Sequence, residues 1–174
     1  MSDILRLLVS PGFRTGVFAG NAIWHSMAFL NFTFRPQLMI EKLTNPALTA
    51  SKRTGGGDEY TQDIMRYLGG INGGYAILAL LRFVPLAISL SSKSSGQRLT
   101  TTQHQFAVSS DILCLTALGL ANLSQAALNF FYARQSGRWI VGHWRGWKTD
   151  RITILDSLFT ILDFGIVGAR LAGY

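Results

Sequence analysis

The chain has 174 residues, room for one compact unit and hardly two domains. Hydrophobic residues make up 48% and charged residues only 14%, against roughly 25% charged in ordinary soluble domains, and the mean hydropathy is +0.26. A net charge of +7 would suit nucleic acid, but the Lys and Arg residues cluster at the ends of apolar segments rather than in one patch. That distribution excludes a nucleic-acid partner and fits lipid headgroups.

The start, Met1-Ser2-Asp3, carries an acid and only a short uncharged run between Arg6 and Arg14, the pattern of neither a signal peptide nor a transit peptide. The expectation is that the first long apolar helix acts as an uncleaved insertion signal. Residues 15–34 are twenty positions without a formal charge, closed by Arg14 and Arg35. A bilayer core of roughly 30 Å needs about 20 helical residues, so a first membrane helix is predicted over about 12–34, ending before Pro36. Residues 36–43 are read as its extension beyond the bilayer. A polar connection to Tyr60 follows, with the flexible-loop signature Thr54-Gly55-Gly56-Gly57-Asp58.

A second helix is predicted over 63–90, the least regular of the four because Arg82 interrupts it and Pro85 follows. Ser, Thr, Gly and Lys dominate residues 91–102, a second loop. Residues 112–133 are twenty-two uncharged positions between Asp111 and Arg134, and a third helix is predicted over 105–133. The third loop interleaves Trp139, Trp144 and Trp147 with Arg138, Arg145 and Lys148. Tryptophan at the headgroup level beside basic residues is the composition of a lipid-interface belt. A fourth helix is predicted over 152–171. The fold class is therefore all-α: a polytopic membrane protein, a single bundle of about four transmembrane helices. No internal repeat is visible, and the lone Cys114 excludes an intramolecular disulfide.

Short loops allow orientation to be read from charge. The first and third loops with their flanks hold Arg35, Lys42, Lys52, Arg53, Arg66, Arg134, Arg138, Arg145, Lys148 and Arg151. The other side holds Arg6, Arg14, Lys93, Arg98 and Arg170, with Arg82 unassigned: ten, five and one of the 16 basic residues. The first and third loops are thus expected on the cytosolic or matrix side of an organelle membrane, endoplasmic reticulum or mitochondrial inner membrane.

Polar residues at membrane depth are the candidate functional positions. Gly69, Gly70, Gly73 and Gly74 form two overlapping pairs of glycines four apart, which flatten a helix face for close packing within the chain or against a partner subunit. Asn21 and His25 share a face of the first helix, where His25 suits an interhelical hydrogen bond; a lipid contact or proton chemistry is the alternative. Asn122, Gln125 and Asn129 line one stripe of the third helix, and Thr153, Asp156, Thr160 and Asp163 one stripe of the fourth. These stripes must avoid lipid and are expected to meet each other or the first helix. A charge in mid-membrane costs ~2.5–3.5 kcal/mol on insertion scales, so Asp156 and Asp163 need compensation. An Arg82–Asp163 pair is one solution; Arg82 at the interface, with Asp163 protonated or paired to another subunit, is the other.

No HExxH, CxxC or phosphate-binding loop is present, and no nucleophile accompanies the Asp and His residues in a triad pattern. No metal site is expected and no cofactor is required by these residues; bound membrane lipid is compatible with them.

Several segments taken together resemble the small four-helix endoplasmic-reticulum proteins that scaffold the sterol C-4 demethylation enzymes. They are the run from Phe34 through Pro36 and Glu41 to Thr44, Arg66-Tyr67-Leu68-Gly69-Gly70, Leu81-Arg82-Phe83, the run from Ala117 to Ala126, and Phe131-Tyr132-Ala133-Arg134. The resemblance covers about residues 14–140 and lies mainly in spacing. The longer first loop, the Trp-rich third loop and the aspartates of the fourth helix depart from it. It implies a non-catalytic tether for membrane enzymes. The function expected is an accessory or scaffold subunit packing against partner helices and lipid. The alternatives are a small lipid- or sterol-binding enzyme or transporter, and an accessory subunit of a respiratory or photosynthetic complex.

Overall fold

The computed structural model describes residues 2–43, 58–91, 101–133 and 151–174. The described chain is helical: α1 (Ser2–Val9), α2 (Pro11–Phe34), α3 (Pro36–Leu43), α4 (Glu59–Ser91), α5 (Thr101–Leu128), a π turn (Asn129–Ala133) and α6 (Arg151–Leu171). No strand occurs among the described residues.

Local chemistry sets the helix ends. Ser10 is extended (φ −61°, ψ 143°) and its Oγ accepts from the Phe13 N–H at 3.4 Å, with Pro11 at the first helical position, where its missing N–H costs nothing. Asp58 caps α4, Oδ1 accepting from the Thr61 N–H at 2.8 Å. The residue before a proline is driven from helical geometry, so Arg35 (φ −133°, ψ 44°) separates α2 from α3. The expected extension of the first helix is thus a distinct helix. Pro85 leaves α4 unbroken to Ser91. At the end of α6 the Tyr174 N–H bonds the Ala169 carbonyl and the Gly173 N–H that of Arg170. Gly173 (φ 84°) takes the left-handed conformation that this closure requires.

Four long helices run alternately up and down. α2 packs chiefly on α4 and α5 chiefly on α6, giving two helical hairpins, while α1 lies against α6. Within the hairpins, small residues let backbones approach. A Cβ on Gly69 would run into Thr33, and one on Gly73 would sit 3.0 Å from Phe29 Cδ2; one on Gly119 would lie 3.2 Å from Asp163 Cβ. An apolar core of Val17, Phe18, Ala22, Ala79, Cys114, Leu115, Leu118, Ile166 and Val167 joins the four helices.

Burial is inverted relative to a water-soluble domain. Leu113 is 71% exposed, Ile161 70% and Ile23 66%, whereas Asn21, His25, Asp111, Asn122, Asp156 and Asp163 are each at 0%. Three helical stretches are long and apolar enough to cross a membrane: Glu59–Ser91, Thr101–Phe131 and Ile152–Leu171. α2 is not among these spans, its apolar run being diluted by Asn21, His25 and Asn31. Two of those three, Asn21 and His25, are fully buried.

Candidate functional site

The interior polar groups fall into layers along the bundle. Nearest one end, α5 presents Asp111 about three turns in from its start, fully buried. Arg14 from α2 donates Nη1 to Asp111 Oδ2 and Nε to the Val9 carbonyl at 2.9 Å. Arg82 from α4 donates Nε (3.0 Å) and Nη2 (2.5 Å) to Asp111 Oδ1, and Nη2 also reaches the Ala107 carbonyl at 3.3 Å. Arg170 from α6 brings Nη2 to 3.8 Å from Asp111 Oδ2. One carboxylate thus gathers arginines from the three other long helices, and a guanidinium fork matches carboxylate geometry better than any other cation.

Seven residues further along α2, about 10 Å at 1.5 Å per residue, lies a layer of amides around a second acid. Asn21 Nδ2 donates to Asp163 Oδ1 at 2.9 Å and Asn122 Nδ2 to Asp163 Oδ2 at 3.2 Å; Asn122 Nδ2 also donates to Asn21 Oδ1 at 3.0 Å. Next come Trp24, whose indole N–H donates to Asp156 Oδ1 at 2.8 Å, and His25, whose Nδ1 lies 2.8 Å from Asn72 Oδ1. The His25 ring stands 5.3 Å from that of Tyr75. Each bond joins buried side chains, and an unpaired polar group away from water is costly.

The Arg82–Asp163 pair, one of the two solutions considered, does not form. Arg82 lies at the level of Arg170, two helical turns from Asp163, and its guanidinium is spent on Asp111. Asp163 is met by amides instead. Gln125 is half-buried and is not one of the residues bonded to Asp163. Asn129 is buried at the first position of the π turn, with no hydrogen-bond partner for Nδ2. Gly69 and Gly73 face α2, whereas Cβ atoms on Gly70 and Gly74 would meet nothing within 4 Å. Trp139, Trp144, Trp147, Arg138, Arg145 and Lys148 lie outside the described residues.

Asp111, Arg14 and Arg170 escape a reading by hydropathy, which treats charges closing an apolar run as its boundary. Their signal is that the assigned topology already puts all three at one end of the bundle. Trp24 and Asn72 are likewise hidden, the first among aromatics and the second inside the glycine run.

Comparison with known proteins identifies no relative. No family model, curated protein or solved structure matches the chain. Among the described residues no three His, Cys, Asp or Glu side chains come together as metal ligands. The chemistry on display is that of mutual satisfaction: carboxylates hold guanidiniums, amides and an indole from other helices.

Proposed function

We propose that the protein is a four-helix, multi-pass membrane protein acting as a non-catalytic scaffold, which seats a transmembrane helix of a partner subunit on the outward face of α4. The membrane part of this reading is supported by the inverted burial. α2 counts as the fourth span because its polar residues turn inward, while Ile23, Met27, Leu30 and Phe34 are exposed on its outer side. The charge distribution supports an organelle membrane with the 44–57 and 134–150 connections on the cytosolic or matrix side. Of the five basic residues counted on the opposite side, Arg14 is committed to Asp111, which sharpens the asymmetry among those left to face headgroups.

The scaffold part rests on the second glycine pair. Gly69 and Gly73 are consumed by α2, while Gly70 and Gly74, four apart on the outer side, remain open. Around them Tyr67, Ile71, Ile77, Leu81, Val84 and Ile88 are exposed at helical spacing. Paired glycines let a second helix backbone approach closely, and dispersion then holds it where lipid supplies no hydrophobic drive. The resemblance to the sterol-enzyme scaffold proteins points to the same class of role.

Extraction from native membranes in mild detergent should yield a complex much larger than 19.1 kDa plus its micelle. A Gly74→Leu chain should lose the partner, while Gly168→Leu, also at an open glycine, should keep it. A clean monomer from native membranes, or a complex indifferent to Gly74→Leu, would overturn the reading. A lipid- or sterol-binding role is favoured by one observation, the buried His25 Nε2, which has no hydrogen-bond partner. It requires His25→Phe to abolish ligand retention while assembly stays intact.

A further inference from the structure

The charges around Asp111 do not balance. Three guanidiniums, each with five N–H donors, surround one carboxylate; Arg14 and Arg82 each hydrogen-bond it, while Arg170 reaches it only at 3.8 Å. The three arginine side chains are at most 13% exposed and Asp111 is at 0%. Like charges gathered away from water repel and lose hydration, so a buried excess of cations is a place where an anion binds well.

Arg170 is the member with capacity left. Its Nη1 donates to the Tyr174 main-chain oxygen at 3.2 Å, brought there by the turn at Gly173. Its Nε is buried without a hydrogen-bond partner. Beside it an open groove of about 470 Å³ runs between the start of α5 and the end of α6, lined by His104, Gln105, Val108, Ser109, Arg170 and Tyr174. His104 and Ser109 are exposed and add ring N–H and hydroxyl donors.

We propose that this groove binds a phosphate group, held by Arg170 with His104 and Ser109 and drawn in by the cation excess around Asp111. Phosphate suits the site because its several oxygens accept from a guanidinium fork and from neighbouring neutral donors at once. The same chemistry is offered by a lipid headgroup and by free inorganic phosphate. The site is independent of the partner helix on α4, so the two proposals fail separately.

The test uses the full chain, delipidated in neutral detergent and followed by its thermal unfolding midpoint. It is titrated with inorganic phosphate and, separately, reconstituted into phosphatidylcholine vesicles with and without phosphatidic acid. Saturable stabilisation by phosphate alone assigns a free anion; stabilisation only by phosphatidic acid assigns a headgroup. Arg170→Gln should weaken either by roughly tenfold or more, the loss of a charge-assisted hydrogen bond. Arg170→Lys should recover part of it. Arg66→Gln, at the exposed Asp63–Arg66 pair, should change nothing. Should Arg170→Gln not fold, the exposed positions answer the same question: His104→Ala with Ser109→Ala must lower affinity measurably. No stabilisation by either probe, equal effects of Arg170→Gln and Arg66→Gln, or full affinity in the double variant overturns the proposal.

Discussion

The surfaces inside each hairpin and the seam between the hairpins are built by different means. Inside, Gly69 and Gly73 admit Thr33 and Phe29 of α2, and Gly119 admits Asp163 and Phe164 of α6. Fit therefore does most of the holding, with His25–Asn72 in one hairpin and Asn122–Asp163 and Arg170–Asp111 in the other adding polar links. Across the seam, the links are Arg14 and Arg82 to Asp111, Asn21 to Asn122 and Asp163, and Trp24 to Asp156. On the proposed membrane reading, the difference follows from lipid as solvent, where apolar burial gives helices little reason to associate and leaves close packing and directional bonds. Packing selects helices that already lie side by side, and bonds specify which face of one pair meets the other.

The largest effect expected is at Asp111. Asp111→Ala removes the acceptor for arginines of three helices, and stranding buried charge costs about 3–5 kcal/mol. Reversible unfolding in mixed detergent should show a loss on this scale or no folded protein. Near-wild-type stability would mean the seam does not depend on this ion cluster. Gly69→Ile attacks the other kind of surface. Its Cβ would press on the Thr33 backbone, and overpacking of this sort costs typically about 1–3 kcal/mol; a crosslink between α2 and α4 should weaken with it. Asn21→Ala strips a donor from Asp163 and an acceptor from Asn122 in one step. It should cost about 1–3 kcal/mol, because the remaining groups stay buried.

Asp163→Asn separates the two acids of the seam. An amide at 163 still accepts from Asn21 and offers a donor to Asn122 Oδ1, which has no partner. The change should stay under about 1 kcal/mol, far from that at Asp111, and equal losses at the two positions would erase the distinction between an acid held by arginines and one held by amides. Smallest is Trp24→Phe. One indole bond to Asp156 is lost while the ring's bulk is largely kept, and interhelical bonds in membranes average about 0.6 kcal/mol.

The architecture was legible wherever one physical signal dominated. Long charge-free runs located the hydrophobic helices, and Pro36 located the end of α2. α1 was invisible because Asp3 and Arg6 leave it no such run, and α4 was harder to delimit because Arg82 and Pro85 resemble breakers. Both residues sit inside the helix, Arg82 because Asp111 accepts its charge. A period near 3.6 sorts polar residues onto one face, and Asn122, Asn129, Thr153, Asp156 and Asp163 are buried while Gln125 is only half-buried. Their pairing was not readable from spacing. Which acid meets which base depends on the relative depth of helices, and a shift of two turns separates Asp111 from Asp163 as the partner of Arg82. Sequence spacing within one helix carries no measure of that offset.

Because each hairpin closes on neighbours in sequence while the seam joins residues as far as 142 positions apart, biogenesis has a natural order. On the proposed membrane reading, each hairpin has its own interface available once its second helix is inserted, and the two are then matched by polar groups at fixed depths. Fragments divided within residues 92–100 and synthesised separately should therefore find one another in the bilayer and restore a bundle with the wild-type links.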